Sequence, residues 1–156
     1  MRINEYTHYR LDWDNLYFAR FLNLTTLILY VQTCTDVITV MQHSEFPSLK
    51  EFQIYVGVFP WAEAEELCRA LSLCKACDLE SIEISTYGPT AQEQFSEQYS
   101  TAIKNFLRFP QLRTLRLSLY CPIYIDNDFL LEAMSSWPHI RYLKLYRPRF
   151  PSVSPA

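Results

Sequence analysis

The chain has 156 residues, 49% of them apolar, with a formal net charge of −3 and only two glycines. That length suits one ordinary domain or a piece of a longer array, and the apolar content excludes disorder everywhere but the Pro/Ser-rich end. No apolar run reaches the roughly eighteen residues of a membrane span, no charged-then-apolar leader follows Met1, and two glycines exclude a Gly-rich phosphate loop.

In chain order, residues 1–21 read as the tail of an earlier unit, with Leu16 and Phe18 to Phe21 ending its helix. A first strand follows at Leu24-Thr-Thr-Leu27-Ile-Leu29, then a short helix near Val37, Val40 and Met41, capped by Thr35 or Asp36. The second strand is Leu49-Lys-Glu-Phe52-Gln-Ile54. After it, Pro60 with Glu63, Glu65 and Glu66 makes a helical first turn whose dipole favours carboxylates, and Leu67, Ala70, Leu71 and Cys74 give one apolar face. The third strand is Leu79-Glu-Ser-Ile82-Glu-Ile84. Thr90 and Glu93 then form a capping box ahead of the apolar stripe Phe95, Tyr99, Ala102, Ile103, Phe106 and Leu107. The fourth strand is Leu112-Arg-Thr-Leu115-Arg-Leu117, followed by a helix capped by Asn127 or Asp128 with Leu130, Ala133, Met134 and Trp137 inward. The fifth is Ile140-Arg-Tyr-Leu143-Lys-Leu145, and the frayed tail occupies 148–156.

These five strands are one repeated motif, L-x-x-L-x-L, starting at 24, 49, 79, 112 and 140. The spacing accommodates one strand and one helix per unit. Phe46-Pro47, Phe109-Pro110 and Trp137-Pro138 introduce three of the strands; the proline ends the preceding helix and the aromatic fills the corner. Stacked units place Leu27, Phe52, Ile82, Leu115 and Leu143 in one apolar column and Leu29, Ile54, Ile84, Leu117 and Leu145 in the next. The expected fold is therefore an α/β solenoid over residues 1–147, with parallel strands on the concave face and helices on the convex one.

With these motifs in view, the sequence resembles the leucine-rich-repeat family, and more narrowly the repeat regions of fungal F-box proteins. "FPSLKEFQI", "FPQLRTLRL", "WPHIRYLKL" and above all residues 125–145, "IDNDFLLEAMSSWPHIRYLKL", carry the likeness, which covers about residues 12–147. The ninth repeat position, where that family expects Asn or Cys, holds Gln32, Gly57, Tyr87, Tyr120 and Pro148, so the solenoid is of the irregular kind without an asparagine ladder. The resemblance implies a substrate-recognition module of a ubiquitin ligase. Its F-box, which docks the cullin-ligase adaptor, is absent from these residues, so adaptor binding is implied only for a longer product.

If the fourth and sixth motif positions face the core, the third, fifth and seventh face outward. This puts Tyr30, Tyr55 and Tyr146 in one row, and Ile28, Gln53, Glu83, Arg116 and Lys144 in another. Tyrosines and mixed charges suit a protein or peptide partner. Residues 1–100 hold 6 Lys/Arg against 14 Asp/Glu, a net of −8, while residues 101–156 hold 8 against 3, a net of +5. Such a gradient steers a polar partner.

Other chemistry finds little support. Five cysteines, Cys34, Cys68, Cys74, Cys77 and Cys121, form no regular framework and fit reduced thiols in the cytoplasm or nucleus. Cys74-x-x-Cys77 lies at a helix end, without the second ligand pair of a zinc site or the strand-to-helix setting of a redox motif. His8, His43 and His139 are scattered, and Asp126 and Asp128 suit helix capping better than acid/base work. The acidic balance disfavours nucleic acid despite Arg141, Arg147 and Arg149. The expectation is a non-catalytic binding module with no cofactor and no membrane or nucleic-acid partner; the alternatives are a solenoid without a dedicated partner and a thiol-dependent enzyme. Open ends predict low stability in isolation, with no sharp melt above about 65 °C.

Overall fold

Alternation of large apolar and polar residues gives each L-x-x-L-x-L segment a strand with one buried face. The computed structural model describes residues 2–4, 20–74, 78–87, 101–119 and 123–146. Its strands are β1 (Arg2–Asn4), β2 (Thr26–Val31), β3 (Glu51–Val56), β4 (Ser81–Thr86), β5 (Thr114–Ser118) and β6 (Tyr142–Tyr146). They form one six-stranded sheet in chain order, and every pair is parallel. Five are the strands expected from the motif; β1 is an addition, pairing Arg2 to Asn4 with Ile28 to Tyr30.

Parallel neighbours need a crossover, and helices supply three of these connections. They are α1 (Thr35–His43) between β2 and β3, α2 (Trp61–Leu73) between β3 and β4, and α3 (Asn127–Ser136) between β5 and β6. Between β4 and β5, residues 101–103 are helical and tighten into a 3-10 turn over Lys104–Arg108. Helices of successive units touch: α1 packs on α2, α2 on the 3-10 turn, and that turn on α3. Thr90, Glu93, Phe95, Tyr99 and the 148–156 tail lie outside the described residues, as do Leu16 and Phe18.

The registers place Leu27, Phe52, Ile82, Leu115 and Leu143 side by side, and Leu29, Ile54, Ile84, Leu117 and Leu145 beside them. From Leu27 to Leu115, and from Leu29 to Leu117, these residues are buried in the same apolar cluster as Leu67, Leu71, Phe106 and Phe129 of the connections. Each fully buried large side chain contributes about 1.5–3 kcal/mol, so the columns are the main driving force of the fold. The corner aromatics Phe46, Phe109 and Trp137 are buried as well. Trp137 is tied further, its indole N–H donating to the Phe106 carbonyl at 2.9 Å.

Four local expectations are corrected. Phe21 is not helical: its amide donates to the Glu45 carbonyl, and its ring stacks on Phe46 at 5.1 Å. The residue capping α1 is Cys34 rather than Thr35 or Asp36, and its amide donates to the Glu63 carboxylate of α2 at 3.0 Å. The Glu63 carboxylate of the next helix satisfies the amide of the capping residue itself, while no side chain caps the first turn of α1. At α3 the cap is Asp126, not Asn127 or Asp128, accepting from the Phe129 amide at 2.7 Å. Phe129, Ala133 and Trp137 face inward, and Leu130 and Met134, expected in the core, are exposed.

Backbone pairing continues one residue past the ends of β3 and β4. Gly57 N–H donates to Val31 O, Tyr87 N–H to Val56 O, and the Tyr87 hydroxyl reaches Val31 O at 3.1 Å. A Cβ on Gly57 would come within 2.6 Å of the Gln32 amide, so glycine lets that side chain lie across the strand end. Among the described residues, no helix is long and apolar enough to cross a membrane.

Candidate functional site

With alternate strand residues buried, the others form the open face of the sheet. Parallel in-register pairing turns spacing along the chain into rows across it. Tyr30, Tyr55, Ser85, Ser118 and Tyr146 form one row; Ile28, Gln53, Glu83, Arg116 and Lys144 a second; and Thr26, Glu51, Ser81, Thr114 and Tyr142 a third. Tyr30, Tyr55 and Tyr146, and Ile28, Gln53, Glu83, Arg116 and Lys144, occupy the rows expected. For Tyr146 the description extends to the backbone, which pairs with Ser118. Ser118 itself is buried, and its carbonyl accepts from the Thr86 hydroxyl at 3.2 Å. The tyrosine row therefore closes at β5 rather than staying open across its length.

Side chains on this face are linked from strand to strand. The rings of Tyr30 and Tyr55 stack at 4.8 Å with an interplanar angle of 11°. Tyr55 is half-buried and Tyr30 is 38% exposed, so the pair offers one supported ring and one accessible edge. The Tyr55 hydroxyl donates to Glu83 at 3.5 Å, and Arg116 pairs with the other Glu83 oxygen at 3.5 Å. The Arg116 guanidinium also lies 5.3 Å from the centre of the Tyr142 ring. Tyr30, Tyr55, Glu83, Arg116 and Tyr142 thus form a continuous chain of contacts from β2 to β6. Partial burial and then the Glu83 carboxylate raise the Tyr55 pKa above its ordinary value, keeping the phenol neutral and donating.

A second line of charge runs along the corners just before the strands. Glu80 sits between Lys50, at 3.0 Å, and Arg113, at 3.3 Å. The hydrogen bond from Lys50 is the main reason its carboxyl titrates below the ordinary range. The open-face rows anticipated from alternation omit this line, although the motif contains its signal: Lys50, Glu80, Arg113 and Arg141 all hold the second repeat position.

The thiols are placed for packing. Cys34 and Cys68 are buried, and desolvation pushes both thiols far above the ordinary cysteine range. Cys74 ends α2 and borders a shallow cleft with His43 and Glu45, while Cys77 and Cys121 lie outside the described residues. His43 Nδ1 lies 2.9 Å from the Thr39 carbonyl, and His139 is in the exposed turn after α3. Among the described residues, no three His, Cys, Asp or Glu side chains converge as metal ligands. Comparisons with protein-family models, curated proteins and solved structures each return no match.

Proposed function

We propose that this chain is a non-catalytic protein-binding module built as an irregular leucine-rich-repeat solenoid, whose concave surface is the open sheet face. The observation that carries this reading is the contact chain Tyr30–Tyr55–Glu83–Arg116–Tyr142, which joins aromatic and charged groups from five strands on one surface. Supported aromatic rings beside a guanidinium make efficient anchors, since they bury area with little further loss of rotamer freedom. The L-x-x-L-x-L units support the solenoid, and the likeness of residues 125–145 to F-box repeat regions makes substrate recognition for a ubiquitin ligase the role we assign. Adaptor binding would belong to an F-box carried by a longer product.

The test compares proteins captured from native lysate by the unaltered chain and by a Tyr30→Ala/Tyr55→Ala variant. A partner retained by the first and lost by the second, with both equally folded by circular dichroism, supports the reading. Identical capture by both overturns the surface assignment. For the ligase role, the full-length gene product should recover cullin and adaptor subunits; their absence removes that role and leaves the binding surface untouched.

A further inference from the structure

We propose that the corner carrying Arg108, Arg113 and Arg141, where the connections turn into β5 and β6, is a docking site for a short acidic segment of a partner protein. Its charge, its rigid backbone and its limited extent each bear on that assignment.

Residues 104–119 and 137–143 contain no aspartate or glutamate, yet they carry Lys104, Arg108, Arg113, Arg116 and Arg141. On the earlier corners each of these cations meets a carboxylate from a neighbouring coil, Arg20 with Glu45 at 2.9 Å and Lys50 with Glu80 at 3.0 Å. Glu80 also takes Arg113, at 3.3 Å, and compensation along the corners stops there. Arg108 and Arg141 are exposed, and among the described residues neither forms an ion pair. The Arg141 amide donates to the Arg113 carbonyl at 2.9 Å, so these two residues lie about 5 Å apart at the backbone. Like charges held on adjacent coils are unfavourable, and an incoming carboxylate relieves them.

The backbone under these arginines is fixed by two matching turns. Leu112 N–H donates to Phe109 O and Ile140 N–H to Trp137 O, both at 3.1 Å, and Pro110 and Pro138 follow the aromatic residues. Phe109, Leu112 and Trp137 are buried, which anchors both turns in the core. Arg108 and Arg113 flank the first turn and Arg141 follows the second, so their backbone needs no reordering when a ligand arrives. All three are arginines, whose planar fork takes a carboxylate through two parallel hydrogen bonds.

The patch is also short. One coil earlier the same corner carries Asp78 and Glu80, which repel a long polyanion laid across the coils, and the acidic balance of residues 1–100 extends that repulsion. A segment with a few carboxylates fits; a nucleic acid strand does not. Tyr30 and Tyr55 lie at the other end of their strands, so this corner is separate from the tyrosine pair of the open face.

The probe is fluorescently labelled hexaglutamate, titrated with the full chain at low ionic strength and read by anisotropy. Saturable binding is expected, weakened about tenfold by Arg108→Glu/Arg141→Glu but less than about twofold by Arg20→Glu/Arg69→Glu, which changes net charge equally on other coils. The corner variant should in turn gain about tenfold in affinity for hexalysine, a charge swap that misfolding does not produce. Binding should survive Tyr30→Ala/Tyr55→Ala, which keeps the outcome distinct from that of the open face. No saturable binding, equal weakening by the two arginine variants, or loss with the tyrosine variant would overturn the corner site. Tighter binding of an oligothymidylate through the same arginines would overturn it in favour of nucleic acid, and a salt-sensitive dimer abolished by Arg108→Glu/Arg141→Glu in favour of a second copy.

Discussion

Leu115 and Leu143 occupy the same motif position on adjacent strands, yet one is fully buried and the other 42% exposed. Phe129 and Met134 differ in the same way on one helix, the first in the core and the second largely in solvent. Motif position alone therefore does not decide burial; among the described residues β5 is paired on both sides and β6 on one. The buried column residues lie on β2 to β5, while Leu143 of β6 is partly exposed.

Truncation gives the largest contrast. Leu115→Ala is expected to cost about 2–5 kcal/mol in urea unfolding, against about 1 kcal/mol or less for Leu143→Ala. Equal costs would mean that the end is covered as well as the middle. Trp137→Phe keeps most of the apolar volume but leaves the Phe106 carbonyl without its indole donor, at a cost of about 1–3 kcal/mol. Asp126→Ala removes the side-chain cap of α3 and should lower stability by about 1 kcal/mol, whereas Asn127→Ala should be close to neutral. Smallest is Arg116→Met, within about 1 kcal/mol, because the pair with Glu83 is part exposed; double-mutant cycles with Glu83→Gln would measure it.

Titration separates the corner row from the open face. The Glu80 carboxyl is held below its ordinary value, so its stabilising effect is present above that value and is lost as pH falls through the lower folded one. Chemical denaturation of Glu80→Gln should accordingly show a weaker acid dependence. Tyr55 is shifted the other way. Its effect is present below the ordinary tyrosine pKa and disappears as pH rises through the raised folded value, and ultraviolet difference spectra of Tyr55→Phe against the parent chain would locate that step.

Much of this was legible before any coordinates. Period-two alternation at Leu115, Leu117 and their counterparts specified which residues face inward, and equal motif length specified register, so both apolar columns and the rows of the open face follow from spacing alone. Helix ends were less legible, because they depend on contacts distant in the chain. Nothing near Cys34 announces that Glu63 will arrive there, and Asp126 outcompetes Asn127 and Asp128 through geometry at a single amide. Ala133 and Trp137 face inward as their spacing requires, but the i, i+4 series that completes the buried face begins at Phe129, so Leu130 and Met134 lie on its exposed flank. The stacking of Tyr30 on Tyr55 and the sharing of Glu83 are side-chain rotamer outcomes to which a one-dimensional pattern is blind.

The bond from the Cys34 amide to Glu63 ties the start of one helix to the first turn of the next. The Cys34 amide exchanges a water acceptor for a carboxylate only when α2 is docked against α1. The Cys34 amide is then a reporter of communication between adjoining coils: in Glu63→Gln it should exchange with deuterium faster, while amides of β5 keep their protection.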